Sequence, residues 1–408
     1  MFPAVSPRSR GVAVLLAWLA VASPASGQGL PSEPISVAGG RLVLGGEFTG
    51  TIAPEDPGFF NYTDYEYSAL RNFRFGISAE VKATDRVQLL AEVRLDQGTV
   101  FEPYGLYVRI RPWPQHRFDI QAGRIPPTFG AMTRSAYGSS NLLIGQPLAY
   151  QYLLSIRPDA IPANVDELLR MRGRGWESSF TVGDPTPGPG LPIVNTSRWD
   201  TGVQLHGING LVEWTGSATV GSLSDPRVRE NNDGRQLAGR VVVRPSAALS
   251  VGASVARSAW LDRALDPALP AGESIAGMRQ TAVGADTEFS SGPFLMRAEV
   301  IRSTWTVPEL SVPIIGDPLV AMSKLLEGRY KVAPGFYLAL RGERLDFNTL
   351  MGTQRSAPWE AATWRIEGGA GCSITRNILL KGAWQRNRRD GGRVRADTLI
   401  TAQVLYWF

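Results

Sequence analysis

Residues 72–96 read NFRFGISAEVKATDRVQLLAEVRLD, and this stretch decides the fold. Phe73, Phe75, Ile77, Ala79 and Val81 alternate with Arg74, Gly76, Ser78, Glu80 and Lys82. Successive side chains of a strand point to opposite faces, so this period of two makes one apolar and one polar face. After Ala83-Thr84-Asp85-Arg86 the pattern returns, with Val87, Leu89, Ala91, Val93 and Leu95 set against Gln88, Glu92, Arg94 and Asp96. Two long strands joined by a short turn are a hairpin. Strands with one charged face and one wholly apolar face suit a barrel that crosses a membrane as well as a soluble sandwich.

The spacing of similar stretches separates these two classes. Sixteen strands are expected near 41–53, 69–82, 87–96, 104–111, 117–124, 198–206, 211–221, 236–244, 248–257, 279–289, 293–303, 324–332, 335–346, 362–372, 377–386 and 397–408. Connections alternate strictly between a few residues and long segments, the longest being 125–197. Short turns on one side and long loops on the other are what a transmembrane barrel shows, and a sandwich has no reason to keep them apart. The expectation is an all-β fold, a transmembrane antiparallel β-barrel of about 16 strands with a long third outer loop. If 176–183 and 191–197 formed a further hairpin, the count would be 18. The aromatic side chains of Trp199, Trp214, Trp364, Trp384, Tyr406 and Phe408 fall on outward faces, where interfacial girdles sit.

Composition narrows the function. The chain has 408 residues, 42 basic against 37 acidic, and 44 glycines with 29 prolines, which disfavours long helices. Its single cysteine, Cys372, excludes a disulfide framework and a cysteine zinc site. Basic residues are scattered singly, mostly as arginine, with no block or motif for nucleic acid. Residues 1–27 read as a secretory signal peptide: Arg8 and Arg10, an apolar run from Gly11 to Ala22, then Ala25-Ser26-Gly27 as a small-residue cleavage site. That leaves 28–408 as the exported barrel. There is no Gly-x-Ser-x-Gly, phosphate loop or metal-ligand cluster, so no enzyme and no cofactor are expected. His206 reads as a wall residue and His116 lies in a turn. Glu55, Asp56, Asp64 and Glu66 read as a solvated loop in preference to a cation site.

The chain ends with Ile400, Ala402, Val404, Tyr406 and Phe408 on one face. This resembles the carboxy-terminal motif of bacterial outer-membrane proteins, which implies that Val404, Tyr406 and Phe408 are read by the barrel-assembly machinery. Gly123-Arg124-Ile125-Pro126-Pro127-Thr128-Phe129-Gly130 resembles the run with which porins of the family that includes the phosphate-selective porins enter their third outer loop. The resemblance implies an outer-membrane channel for passive diffusion of small hydrophilic solutes, surrounded by outer-membrane lipid and assembling in one arrangement as a homotrimer. It also implies a constriction carried on loop 125–197. The chain departs from the phosphate-selective members in having few lysines. Within that loop, Asn164–Met171 reads as a short capped helix followed by Arg170, Arg172 and Arg174 at every second position. A basic ladder at a constriction favours anions, and solvated or acid-paired arginines are the other reading. Arg124, Arg109, Arg74 and Arg341 join these as pore candidates. The alternative function is an occluded barrel serving as a structural or surface-binding protein.

Overall fold

The computed structural model describes residues 30–62, 70, 73–96, 101–115 and 117–408. The signal-peptide reading, Asp64, Glu66 and His116 lie outside these residues. Glu33–Phe408 form one compact unit. Sixteen antiparallel strands make it up: β1 Leu42–Ile52, β2 Phe73–Lys82, β3 Val87–Asp96, β4 Glu102–Ile110, β5 Phe118–Ile125, β6 Asp200–Asn209, β7 Val212–Thr219, β8 Gln236–Ser246, β9 Leu249–Ala259, β10 Arg279–Ser291, β11 Phe294–Trp305, β12 Leu319–Ala333, β13 Phe336–Phe347, β14 Thr363–Thr375, β15 Ile378–Arg389 and β16 Ala396–Trp407. Each pairs with the next, and β16 returns to β1 through pairs from Glu47↔Trp407 to Ile52↔Ala402, so the sheet closes. Closure leaves no unpaired edge in lipid, where free backbone groups cannot find water.

An eighteen-stranded barrel is not formed. In the third loop Ala160–Ile161 pairs with Val182–Gly183 as a sheet of its own, and Ser178 bridges Gly188. Pro185, Pro187, Pro189 and Pro192 explain this, since each lacks the donor that a barrel ladder needs. A short N-terminal strand, Ile35–Val37, pairs with Leu42–Leu44.

The period of two is visible as burial. Along β15, Leu379, Lys381, Ala383, Gln385 and Asn387 are buried, while Leu380, Gly382, Trp384, Arg386 and Arg388 are exposed. Outward apolar side chains such as Val203, Val255, Val283, Leu340 and Ile400 cover the wall. Beneath them, near the short turns, run aromatic contacts: Trp113–Phe118, Phe118–Trp214, Phe294–Tyr330 and Tyr406–Phe408 at 4.9, 6.0, 4.8 and 5.9 Å between ring centroids. Trp199 differs from its expected place in that girdle. It is half-buried against Tyr104, 5.1 Å away, where Gly105 leaves room for the indole.

Candidate functional site

The interior is shaped by one segment, residues 126–199. Gln204 on β6 donates to the Pro126 carbonyl (3.2 Å), and Thr128 bonds Ser217 on β7 (2.8 Å). The chain then runs along the wall to β9 and β11. Gly130 N–H reaches Ser254 on β9 (3.2 Å), and Ala131 N–H reaches Glu299 on β11 (2.7 Å). It turns back to β2 and β1, where Arg74 donates to the Ala136 carbonyl (2.5 Å) and Gly138 N–H donates to Glu47 (2.9 Å). From there it runs along β13–β15 before rising to the outer loops.

Along β13–β15 the wall grips the backbone of 141–148. Lys381 Nζ donates to the Gly138, Asn141 and Leu143 carbonyls at 2.6, 2.5 and 3.2 Å. Glu367 accepts from Ile144 and Gly145 N–H at 3.2 and 2.8 Å, and Glu343 accepts from Leu148 N–H at 2.7 Å. Arg341 donates to the Gly145 carbonyl and to Asn141 Oδ1, both at 2.7 Å. Arg365 donates to the Gln146 and Phe60 carbonyls at 2.8 and 2.7 Å. The wall ions also pair with each other. Glu288, Arg297, Glu327, Arg341 and Glu367 form a run with successive contacts of 2.6, 3.4, 2.7 and 3.6 Å. A loop backbone without its own secondary structure carries unpaired donors and acceptors, and burying it requires partners. The inward charges supply them.

Toward the outer mouth the filling becomes apolar. Phe129, Leu148, Ile156, Ile161, Leu168 and Leu169 of the loop share one buried cluster with Ala282, Ile301, Trp305 and Leu345 of the wall and Trp260 and Trp359 of the outer connections. Two polar groups anchor it. Tyr150 Oη donates to Glu299 (2.9 Å), and burial, then the adjacent carboxylate, pushes its hydroxyl well above the ordinary tyrosine range, so it remains a donor. Glu360 accepts from Ser155 N–H (2.7 Å), the Ser155 hydroxyl, Gly173 N–H and Ala361 N–H (2.7 Å). Burial pushes the Glu360 carboxyl up, and these hydrogen bonds oppose that rise.

The opposite side of the lumen is less filled. On β4–β8, Arg109 donates to Tyr107 Oη (3.2 Å) and is half-buried. An ionic row crosses β5–β8: Asp119–His206 at 3.5 Å, His206–Glu213 at 3.3 Å and Glu213–Arg244 at 2.6 Å. The side chain of His206 is 24 % exposed and that of Glu213 28 %, whereas Arg341 and Arg365 on the far wall are sealed at 1 % and 0 %. Nearer the outer end of the neighbouring strands β3 and β4, Tyr137 donates to Glu92 (2.7 Å), and the Arg94 guanidinium lies over the Tyr104 and Tyr137 rings. At the end with short turns, a cavity of about 670 Å³ is lined by Ser139, Asn141, Arg329, Lys331 and Tyr337.

The residues singled out from sequence separate into groups. Arg341 and Arg74 are inward and bound to the loop backbone, while Arg109 lines the less filled side. Arg124 corrects its assignment as a pore residue. It has the outward parity of exposed Ala122, and it ties the barrel rim by donating to the Trp199 carbonyl (3.0 Å) and the Pro103 carbonyl. The helix read near 164–171 is α1, Val165–Arg170, capped by Asn164 Oδ1 accepting from Glu167 N–H (3.0 Å). Its buried Val165, Leu168 and Leu169 hold it in the apolar cluster at the outer mouth, and this fixes the three arginines there. Arg170 is exposed, 3.9 Å from Glu167; Arg172 contacts Asp390 at 3.0 Å; Arg174 is exposed. They therefore stand among the outer connections, apart from Arg341 and Arg74. Asp56, half of the acidic group that falls within the described residues, accepts from Asn61 N–H and Nδ2 at 2.8 and 3.0 Å. Among the described residues no set of three His, Cys, Asp or Glu side chains converges as metal ligands. The loop-gripping roles of Lys381, Glu367, Glu343 and Glu47 are not readable from spacing. One signal for them exists: Leu142-Leu143-Ile144 and Tyr152-Leu153-Leu154 are too apolar for a solvated loop.

A closed sixteen-stranded antiparallel barrel is a fold that this chain shares with solved bacterial outer-membrane proteins. Solved structures sharing it include OmpT of Vibrio cholerae in its trimer form, at 10% identity over 90% of this chain and 99% of that one, TM-score 0.54. The anion-selective porin from Comamonas acidovorans gives the same figures, 10%, 90%, 99% and 0.54. The outer membrane channel DcaP of Acinetobacter baumannii matches at 11% identity over 92% and 100%, TM-score 0.51. No protein-family model matches the chain, and no curated protein matches it. At these identities the likeness is one of fold.

Proposed function

We propose that the protein is a bacterial outer-membrane channel for passive diffusion of small hydrophilic solutes, in which loop 126–199 narrows the lumen. The observation that carries this reading is the asymmetry of the interior. One wall is sealed by loop backbone, while the facing wall keeps half-exposed ionic side chains from Arg109 to Arg244. Sixteen strands enclose more space than side chains alone can fill. The path therefore runs along β4–β8. No covalent chemistry is assigned to it. The leader at 1–27 directs export, the barrel sits in outer-membrane lipid after insertion by the assembly machinery, and the channel forms a homotrimer. Purified protein in planar bilayers should give stepwise current. Folded protein that gives none supports the second reading, an occluded barrel with a structural or surface-binding role, which the apolar cluster at the outer mouth favours.

Selectivity separates mouth from path. Arg170, Arg172 and Arg174 stand at the outer mouth, where about 0.1 M salt screens charge beyond about 10 Å. Replacing all three by alanine should lower anion preference by only a few mV of reversal potential in a dilute potassium chloride gradient, and by nothing measurable at about 1 M, where the screening length is about 3 Å. Arg109→Glu, on the path itself, should shift it several-fold more, because charge acts more strongly where water is restricted. Equal shifts from both variants would place the path beside the mouth arginines.

A further inference from the structure

Not all the arginines serve the lumen. On the outward faces of neighbouring strands the register aligns Lys324, Arg344, Trp364 and Arg388 in one row at the end of the long loops, with Arg386 in the row beneath. Outward charge on a barrel wall is unfavourable at mid-depth, roughly 2–4 kcal/mol for arginine, and falls toward the interface. These side chains mark that interface. From Arg386 to Ile378 the strand runs eight residues, about 20 Å of height for a tilt of about 40°, close to the roughly 25 Å of an apolar band. Arg344, Arg386, Arg388 and Arg395 converge with Trp364 on a cleft of about 610 Å³. Two carboxylates border it. Asp346 takes contacts from Arg344 and Lys324 at 2.7 and 3.3 Å, and Asp390, at the rim, is engaged by Arg172 at 3.0 Å. That leaves a surplus of cations, and neither Arg386 nor Arg388 has an acidic partner within 4.0 Å among the described residues.

The wall below the cleft is apolar in a particular way. Leu340, Trp384 and Ile400, on β13, β15 and β16, stand in the row under Arg386, and Ile366 on β14 stands level with it, all exposed. Two rows further down, the strands open into an outward groove of about 690 Å³ floored by Gly50, Gly371, Gly382 and Ala402 and walled by Leu380 and Val404. Groove and Arg386 are separated by four residues of β15, about 13 Å. A cleft for phosphate above a groove for hydrocarbon, on one lipid-facing wall, has the shape of a single amphipathic ligand.

We propose that this wall holds a lipid of the outer leaflet by a phosphorylated headgroup, with Arg386, Arg388 and Arg344 on its phosphates and an acyl chain in the groove below. Arginine's planar fork matches phosphate oxygens, and charge-assisted contacts of this kind are the strong ones. The alternation places the charge outside the lumen, so the site is independent of whether the channel conducts.

The test uses full-length protein reconstituted in phosphatidylcholine with a minor fraction of a diphosphorylated glycolipid, then extracted, with retained lipid counted by native mass spectrometry. The parent should keep the phosphorylated lipid in preference to phosphatidylcholine. Arg386→Gln/Arg388→Gln should lower its retention about tenfold, two charge-assisted contacts being lost. Arg170→Gln/Arg174→Gln, with the same loss of charge, should leave it unchanged. Retention by the parent should also fall at about 1 M salt, a measurement that stands even if the double variant does not assemble. Retention indifferent to both changes overturns the proposal. Displacement by excess inorganic pyrophosphate shows a site for free phosphate and overturns the assignment to lipid. Loss of oligomer without any retained lipid in the parent shows a second copy of the chain on this wall, and overturns it equally.

Discussion

Arg341→Ala combined with Arg365→Ala is expected to raise single-channel conductance two- to threefold and to lower the stability of the folded barrel. The two guanidiniums are sealed from solvent and hold the carbonyls of Gly145 and Gln146, the side chain of Asn141, and Phe60 in the first outer loop. Their removal leaves Glu327, Glu343 and Glu367 buried beside methyl groups. Breaking a buried pair by deleting one partner costs about 3–5 kcal/mol, because the remaining charge has lost its compensation. Water entering the gap is the cheapest relief, and entry requires residues 141–148 to leave the wall. Conductance should therefore rise together with protease sensitivity in that stretch, and the heat-modifiable form should unfold at lower temperature. Arg341→Ala with Glu327→Gln should lose less stability than Arg341→Ala alone, since the carboxylate closest to the vacancy is then neutral and Glu367 is the one left facing it. Unchanged conductance in a barrel that has lost stability would mean that the apolar cluster, and not the ionic run, keeps the loop in the lumen.

Legibility in the sequence followed the range of the forces involved. Strand positions depend on which face of each residue meets lipid, a local alternation, and all sixteen were readable from stretches such as Phe73–Lys82. Arg124 stood as a pore candidate within the run that enters the third loop, and its place on the strand is outward. Its strand ends at the rim, where two backbone carbonyls can take an outward guanidinium. The third loop was readable by length and by the cap at Asn164, but not by path. Nothing between Gly123 and Trp199 states that Gly145 meets Glu367, a pairing 222 residues distant. Such contacts become fixed only when the closed barrel brings β14 opposite the loop. The same holds for Arg170, Arg172 and Arg174. Their spacing made a basic ladder plausible, while the burial of Leu168 and Leu169 against the tryptophans of other connections decided where that ladder stands.

Deletion of Tyr406–Phe408 should reduce membrane-embedded, heat-modifiable protein by at least about tenfold, since it opens the one seam that joins the ends of the chain. Six paired positions link β16 to β1, and the deletion removes two of them, Trp407 with Glu47 and Tyr406 with Phe48. It also removes a reciprocal pair of backbone bonds, Phe408 N–H to Gly46 O at 3.0 Å and Gly46 N–H to Phe408 O at 3.1 Å. Each backbone group exposed to hydrocarbon without a partner costs several kcal/mol, so even a short gap is severe. Phe408→Ser keeps those backbone bonds and loses only the ring, so it should reduce assembly less. Gly46→Val approaches the same contact from the other strand. A β-carbon at position 46 would lie 2.5 Å from the Phe408 ring, and the ring or the strand must move. Removing three residues from the exposed connection at 270–272 shortens the chain equally without touching the seam, and should leave assembly near the parent level. If the seam deletion and the loop deletion yield equal amounts of embedded barrel, closure tolerates a frayed last turn, and the terminal residues then matter for recognition before insertion more than for the finished wall.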